Sequence, residues 1–132
     1  MFSATATIED HMSRVRDAAK KASFERLGHG AASIAKTAKA SIEKSKKPSS
    51  PGDAPHTRGK GGHNLRGAIR FDSNAIDAVI GPIASFVGQA GEAQEFGGEF
   101  KGEDFPERPF MGPALEVSVD RFAAGWAGSI GQ

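Results

Sequence analysis

Four histidines, His11, His29, His56 and His63, are the first residues to test for chemistry, because imidazole serves as metal ligand and as general base. They are scattered. Only His56 and His63 lie near each other, in a stretch that also holds Asp53, and they lack the close ligand spacing and rigid support of a zinc site. Gly28-His29-Gly30-Ala31-Ala32-Ser33 superficially matches a dinucleotide fingerprint, but helical periodicity precedes it where a strand is required, and serine stands in place of the last glycine. Gly59-Lys60-Gly61 has no earlier glycine at phosphate-loop spacing and no Ser or Thr after the lysine. Glu92, Glu95, Glu99, Glu103, Asp104 and Glu107 supply carboxylates, yet no nucleophile accompanies them, so a solvated or docking face is expected. The chain has no cysteine, which excludes disulfides and thiolate chemistry. The sequence therefore points away from an enzyme and gives no expectation of a cofactor or metal; function is expected to lie in its surfaces.

Those surfaces must be positioned by a modest framework. A chain of 132 residues is the size of one domain, and 17 Gly with 7 Pro commit much of it to turns and loops. Thr7-Ile8-Glu9-Asp10 has the composition of a helix start, with a capping hydroxyl followed by carboxylates. Ile8, Met12, Val15, Ala19 and Ala22 then recur on one helical stripe, which predicts a helix over about 7–26. Gly28-His29-Gly30 is expected to bend or interrupt it, since each helix-interior glycine costs about 1 kcal/mol relative to alanine. Ala31, Ile34, Ala35, Ala38 and Ile42 resume the period, with Lys36, Lys39 and Lys44 on the other side, so the helical region is expected to span 7–46.

Residues 47–64, from Lys47-Pro48-Ser49-Ser50 to Gly61-Gly62-His63-Asn64, hold almost nothing apolar and read as a long flexible loop, an arm rather than a domain boundary. Segments 65–71 and 75–80 are apolar-rich and flank Asp72-Ser73-Asn74, which predicts a β-hairpin ended by Gly81-Pro82. Ala90, Ala93, Gln94 and Phe96 suit a short helix before Gly97-Gly98. Residues 99–110 read as an extended acidic excursion anchored by Phe100, Phe105 and Phe110, with a second hairpin as one form it can take. Pro113 is tolerated in the first turn of a helix. Leu115, Val119, Phe122, Trp126 and Ile130 follow on one stripe, so a C-terminal helix is expected over 111–130. The fold class is α+β, with long N-terminal and C-terminal helices packed on a small antiparallel sheet built from 65–110.

The net charge of +1 conceals a segregation. Residues 1–70 hold 14 Lys/Arg against 6 Asp/Glu, a balance of +8, whereas residues 71–132 hold 3 against 10, a balance of −7. Such asymmetry suits a basic face for nucleic acid, or two complementary surfaces that draw copies of one protein together head to tail. Nothing near the N-terminus reads as a signal peptide, because Glu9 and Asp10 come before any apolar run of that length, and no stretch is apolar enough for a membrane span.

One order of motifs is specific. Leu65-Arg66-Gly67-Ala68-Ile69 follows the Pro-rich loop; then come Ala93-Gln94-Glu95-Phe96-Gly97-Gly98 and Arg108-Pro109-Phe110-Met111-Gly112-Pro113-Ala114-Leu115. This order resembles the tail-component family of long-tailed double-stranded DNA bacteriophages, whose members act as tail-completion, tail-terminator or head–tail joining proteins. The resemblance spans about residues 8–130 and is most specific in its last element. It implies a homo-oligomeric ring, commonly sixfold and hence a hexamer, partnered by neck and tail-tube proteins, in virions assembled in the host cytoplasm.

Closed rings need heterologous contacts, one patch binding a different patch on the next copy. Some of Lys36, Lys39, Lys44, Arg58 and Lys60 are therefore expected to face Glu99, Glu103, Asp104 and Glu107 of a neighbour. Glu95, Phe96, Gly97, Arg108, Pro109, Phe110 and Pro113 are expected to pin the C-terminal helix without forming the working surface. A neck adaptor or stopper is the other role within this class, and a non-specific DNA-binding module is the reading outside it; weak, sequence-independent contact with DNA in the channel is compatible with both.

Overall fold

The computed structural model describes residues 2–58 and 64–129, with side chains from Met12 onward. Helix α1 (Phe2–Ser41) is followed by a strap of irregular chain, a helical turn α2 (Leu65–Ala68) and a hairpin of β1 (Ile69–Ser73) with β2 (Ala78–Pro82). Short helices α3 (Ala84–Val87) and α4 (Ala90–Phe96) lead to a second hairpin, β3 (Gly98–Phe100) with β4 (Glu103–Phe105), and α5 (Met111–Ala124) completes the fold. The class is α+β, and the two antiparallel hairpins form separate two-stranded sheets.

Helix α1 starts upstream of Thr7 and runs through Gly28-His29-Gly30 without a break. The expected interruption is corrected by packing. A Cβ at Gly30 would sit 2.2 Å from Phe122 Cδ2, so this glycine is the point where α5 meets α1 closely. The cost of glycine in the helix is offset by the contact it permits. The helix ends at Ser41 rather than near residue 46, because Glu43 and Ser45 turn to pair with Thr57: Thr57 N donates to Glu43 O at 2.8 Å and Ser45 N to Thr57 O at 3.1 Å.

The core is small and contiguous. Ile34, Ala35, Ala38 and Ile42 from α1 pack with Ile69, Phe110 and Ala114, as the period from Ala31 to Ile42 predicts. The upstream stripe behaves otherwise: Met12 and Val15 are exposed, Ala22 is the first buried residue among the described side chains, and the side chain of Ile8 lies outside them.

The segment read as a flexible arm is tied down over 47–58. Pro55 is fully buried, Ser49 and Thr57 are buried, and Ala54 packs against the core. Gly52 N donates to Glu107 O at 2.8 Å, and Arg108 Nε donates to Ser49 O at 3.0 Å. Prolines and polar residues are held here by backbone pairing to distant chain, which composition does not encode. The rest of that segment, 59–63 with Lys60, lies outside the described residues.

Residues 65–68 form a helical turn instead of a strand entry, since Asn64 Oδ1 accepts from Gly67 N at 2.8 Å as a cap. The first hairpin turns later than Asp72-Ser73-Asn74: Asn74 Oδ1 accepts from Ile76 N and Asp77 N, and Asn74 N donates to Asp77 O, so the turn covers 74–77. Pro82 closes the ladder opposite Ile69. The acidic excursion does contain a hairpin, confined to 98–105. Its two-residue tip, Lys101-Gly102, has φ of 53° and 78°, the geometry of a tight turn matched to strand twist.

Helix α5 stops at Gly125, short of 130, and Ile130 lies outside the described residues. Its expected buried stripe is also corrected. Ala114 and Ser118 are buried, while Leu115 and Val119 are 51% and 47% exposed. Small side chains, not large ones, face the neighbouring elements, because α5 lies close to the residues it packs on; of the expected stripe, Phe122 meets Gly30, and Trp126 meets Phe122 edge to face at 6.2 Å.

Candidate functional site

The two later motifs meet in one clasp. Phe110 sits at the N-cap of α5 and has no side-chain acceptor, so the first N–H groups of the helix need a partner from elsewhere. Glu95, at the end of α4, supplies it: Oε2 accepts from Phe110 N at 2.8 Å and Met111 N at 2.9 Å, and Oε1 accepts from Gly112 N at 2.8 Å. A carboxylate there also complements the helix dipole. Gly97 reverses the chain at φ 64°, and a Cβ would lie 2.8 Å from Glu107 N, so the glycine is required both for conformation and for space. Arg108 N donates to Gln94 O at 2.7 Å while its side chain holds the strap. Phe110 fills the core, Pro109 is half-buried, Pro113 is exposed in the first turn, and Phe96 is 73% exposed. These contacts are those of a structural pin.

Glu95→Ala is expected to cost about 2 kcal/mol, since it strands helix N–H groups that a charged acceptor held. Glu95→Gln is expected to recover part of this. Urea unfolding measures both; a loss below about 0.5 kcal/mol for the alanine variant would mean that water caps α5 equally well.

The acidic residues are displayed outward. Glu99, Glu103, Asp104 and Glu107 are all exposed, on or just after the β3–β4 hairpin. Phe100 and Phe105 brace its inner side edge to face, with ring centroids 6.1 Å apart.

The basic residues fall into two groups. Lys36 and Lys39 line a groove of about 440 Å³ between α1 and β1, joined there by Arg66 and Arg70. Arg70 also lies over the Phe86 ring at 5.9 Å from its centroid, a cation–π distance. Sequence reasoning missed Arg66 and Arg70, which were both read only as part of the 65–71 strand. Their common signal is proximity to the Lys36 face, which arises only when β1 packs on α1. Lys44 and Arg58 are exposed beyond the end of α1, where Arg58 shares a pocket of about 310 Å³ with Arg108 and His56. His56 Nδ1 is 2.9 Å from Lys47 O.

Exposed large apolar residues accompany the charges. Met12 and Val15 on α1, and Leu115 and Val119 on α5, are spaced three and four apart and so share a face in each helix; Ile76 and Val79 project from the first hairpin at 87% and 72% exposure. No described helix is long and apolar enough to cross a membrane. In comparisons with protein-family models, curated proteins and solved structures, nothing matches the chain.

Proposed function

We propose that this protein is a structural subunit that closes into a homo-oligomeric ring, a hexamer in the preferred form, at the head–tail interface or tail end of a long-tailed phage particle. The observation that carries the ring is the pairing of unlike surfaces on one chain: a projecting hairpin with Glu99, Glu103 and Asp104 exposed, and a groove lined by Lys36, Lys39, Arg66 and Arg70. Such a pair is what a heterologous contact requires. Apolar residues left in water on both long helices add surface for burial on assembly. The phage setting, with neck and tail-tube proteins as partners and the virion as location, rests on the resemblance of the Glu95-Phe96-Gly97 and Arg108-Pro109-Phe110 elements.

The ring is tested by sedimentation of the purified chain. Assembly is expected to weaken between 0.1 M and 1 M salt, as the screening length falls from about 10 Å to about 3 Å. Lys36→Glu with Lys39→Glu is expected to abolish it, and adding Glu103→Lys with Asp104→Lys to restore it. A chain that stays single at high concentration would sink the reading, as would particles lacking the protein that still carry firmly attached tails and infect normally.

A further inference from the structure

Where α5 meets α1 at Gly30, the two helices leave a cleft of about 260 Å³ lined by Arg26, His29, Ser33, Ser118 and Arg121, together with Phe122. None of its lining residues is acidic. Arg121 Nη2 donates to Ser33 Oγ at 2.8 Å, which holds one guanidinium at the cleft. The stem of Arg26 passes over Gly125 at the C-terminal end of α5, with Cδ 3.9 Å from where a Cβ would stand.

Two polar atoms of this cleft are buried without a hydrogen-bond partner: Arg26 Nε and Ser118 Oγ, the latter on a residue only 2% exposed. Buried donors are seldom left this way in folded proteins, and an occupant such as water or an ion is the usual resolution. The lining decides which. Arginine offers N–H donors alone and cannot accept, so two guanidinium groups without a carboxylate select an anion. The cleft is smaller than the roughly 300–1,000 Å³ of sites for whole small-molecule ligands, which leaves room for one compact group. Guanidinium forks match oxyanion geometry, and phosphate, with its several oxygens, uses donors arriving from both helices.

We propose that the cleft between α1 and α5 binds a phosphate group through Arg26 and Arg121, with Ser33 positioning Arg121. The phosphate is either a free anion or part of a nucleic-acid backbone. Upstream of the cleft, α1 also carries exposed Arg14, Arg16, Lys20 and Lys21, together with exposed Asp17 and Glu25. This assignment is independent of the ring.

The test uses the full chain and the Arg26→Gln and Arg121→Gln variants. Thermal unfolding is followed in sodium phosphate and in sodium chloride or acetate of equal ionic strength, and binding of a labelled DNA duplex by anisotropy across a salt series. Phosphate is expected to raise the parent's Tm above both controls, and each variant to need about tenfold more phosphate for the same shift. Arg121 is exposed, so its variant is expected to keep the parent's Tm in chloride even where loss of half-buried Arg26 lowers it. If duplex binding is also seen and its log–log salt slope falls by about one in Arg121→Gln, the phosphate belongs to a backbone. A phosphate shift without duplex binding identifies the free anion. Equal shifts in phosphate and acetate, or variants that respond as the parent does, would overturn the site.

Discussion

Phe110→Ala is expected to lower the free energy of unfolding by about 3–5 kcal/mol, the cost of emptying a large aromatic site in a packed core. Phe110 is 1% exposed and is the largest of the fully buried side chains, and it packs with Ile34, Ala38 and Ile42 of α1 and with Ile69 of β1. It is also the residue from which α5 departs, its own N–H held by Glu95. Removing the ring therefore opens a cavity between the two long helices and the first hairpin at once. Small domains have only about 5–15 kcal/mol in total, so the variant is expected to be at the edge of folding. The midpoint of urea unfolding reports the loss, and Phe110→Leu is expected to forfeit much less because volume is partly kept. A shift below about 1 kcal/mol for the alanine variant would place the cohesive centre of the protein elsewhere.

The second large effect is expected at Gly30. A valine there brings its Cβ to the position 2.2 Å from Phe122 Cδ2 and 2.4 Å from Cε2, so the ring must leave or the helices must part. Overpacking of this kind costs about 1–3 kcal/mol, and this case belongs at the upper end because the obstacle is a rigid ring. Gly30→Ala separates the close-contact account from the expected helix break. In an unobstructed helix interior alanine stabilises by about 1 kcal/mol, whereas here the same substitution is expected to destabilise. Phe122→Ala in the Gly30→Val background is expected to recover stability although it is harmful alone, a coupling that a double-mutant cycle reads directly. Additive effects at the two positions would refute the contact.

The charged surfaces behave differently from these core positions. Lys36, Lys44, Arg58, Glu99, Glu103, Asp104 and Glu107 are exposed, as their place in polar sequence suggests, but whether any two share a surface is a matter of packing. Lys36 and Lys39 share a helix face by spacing alone, while Arg66 and Arg70 join them only because β1 lies against α1. The cleft residues are further apart still: Ser33 and Arg121 are separated by 88 positions.

The amino-acid sequence by itself determined what short-range physics can decide. The helical period from Ala31 to Ile42, the short helix at 90–96 and the proline in the first turn of α5 depend on neighbours within a few residues, and the α+β order follows from them. Tertiary structure decided the rest. Gly30 is continuous helix because a distant ring fills its missing side chain, residues 47–58 are fixed because Thr57 and Ser49 find backbone and arginine partners far along the chain, and α5 buries Ala114 and Ser118 because close packing favours small residues over the larger stripe beside them. Each of these outcomes turns on what approaches from outside the local window, and composition or periodicity carries no term for that.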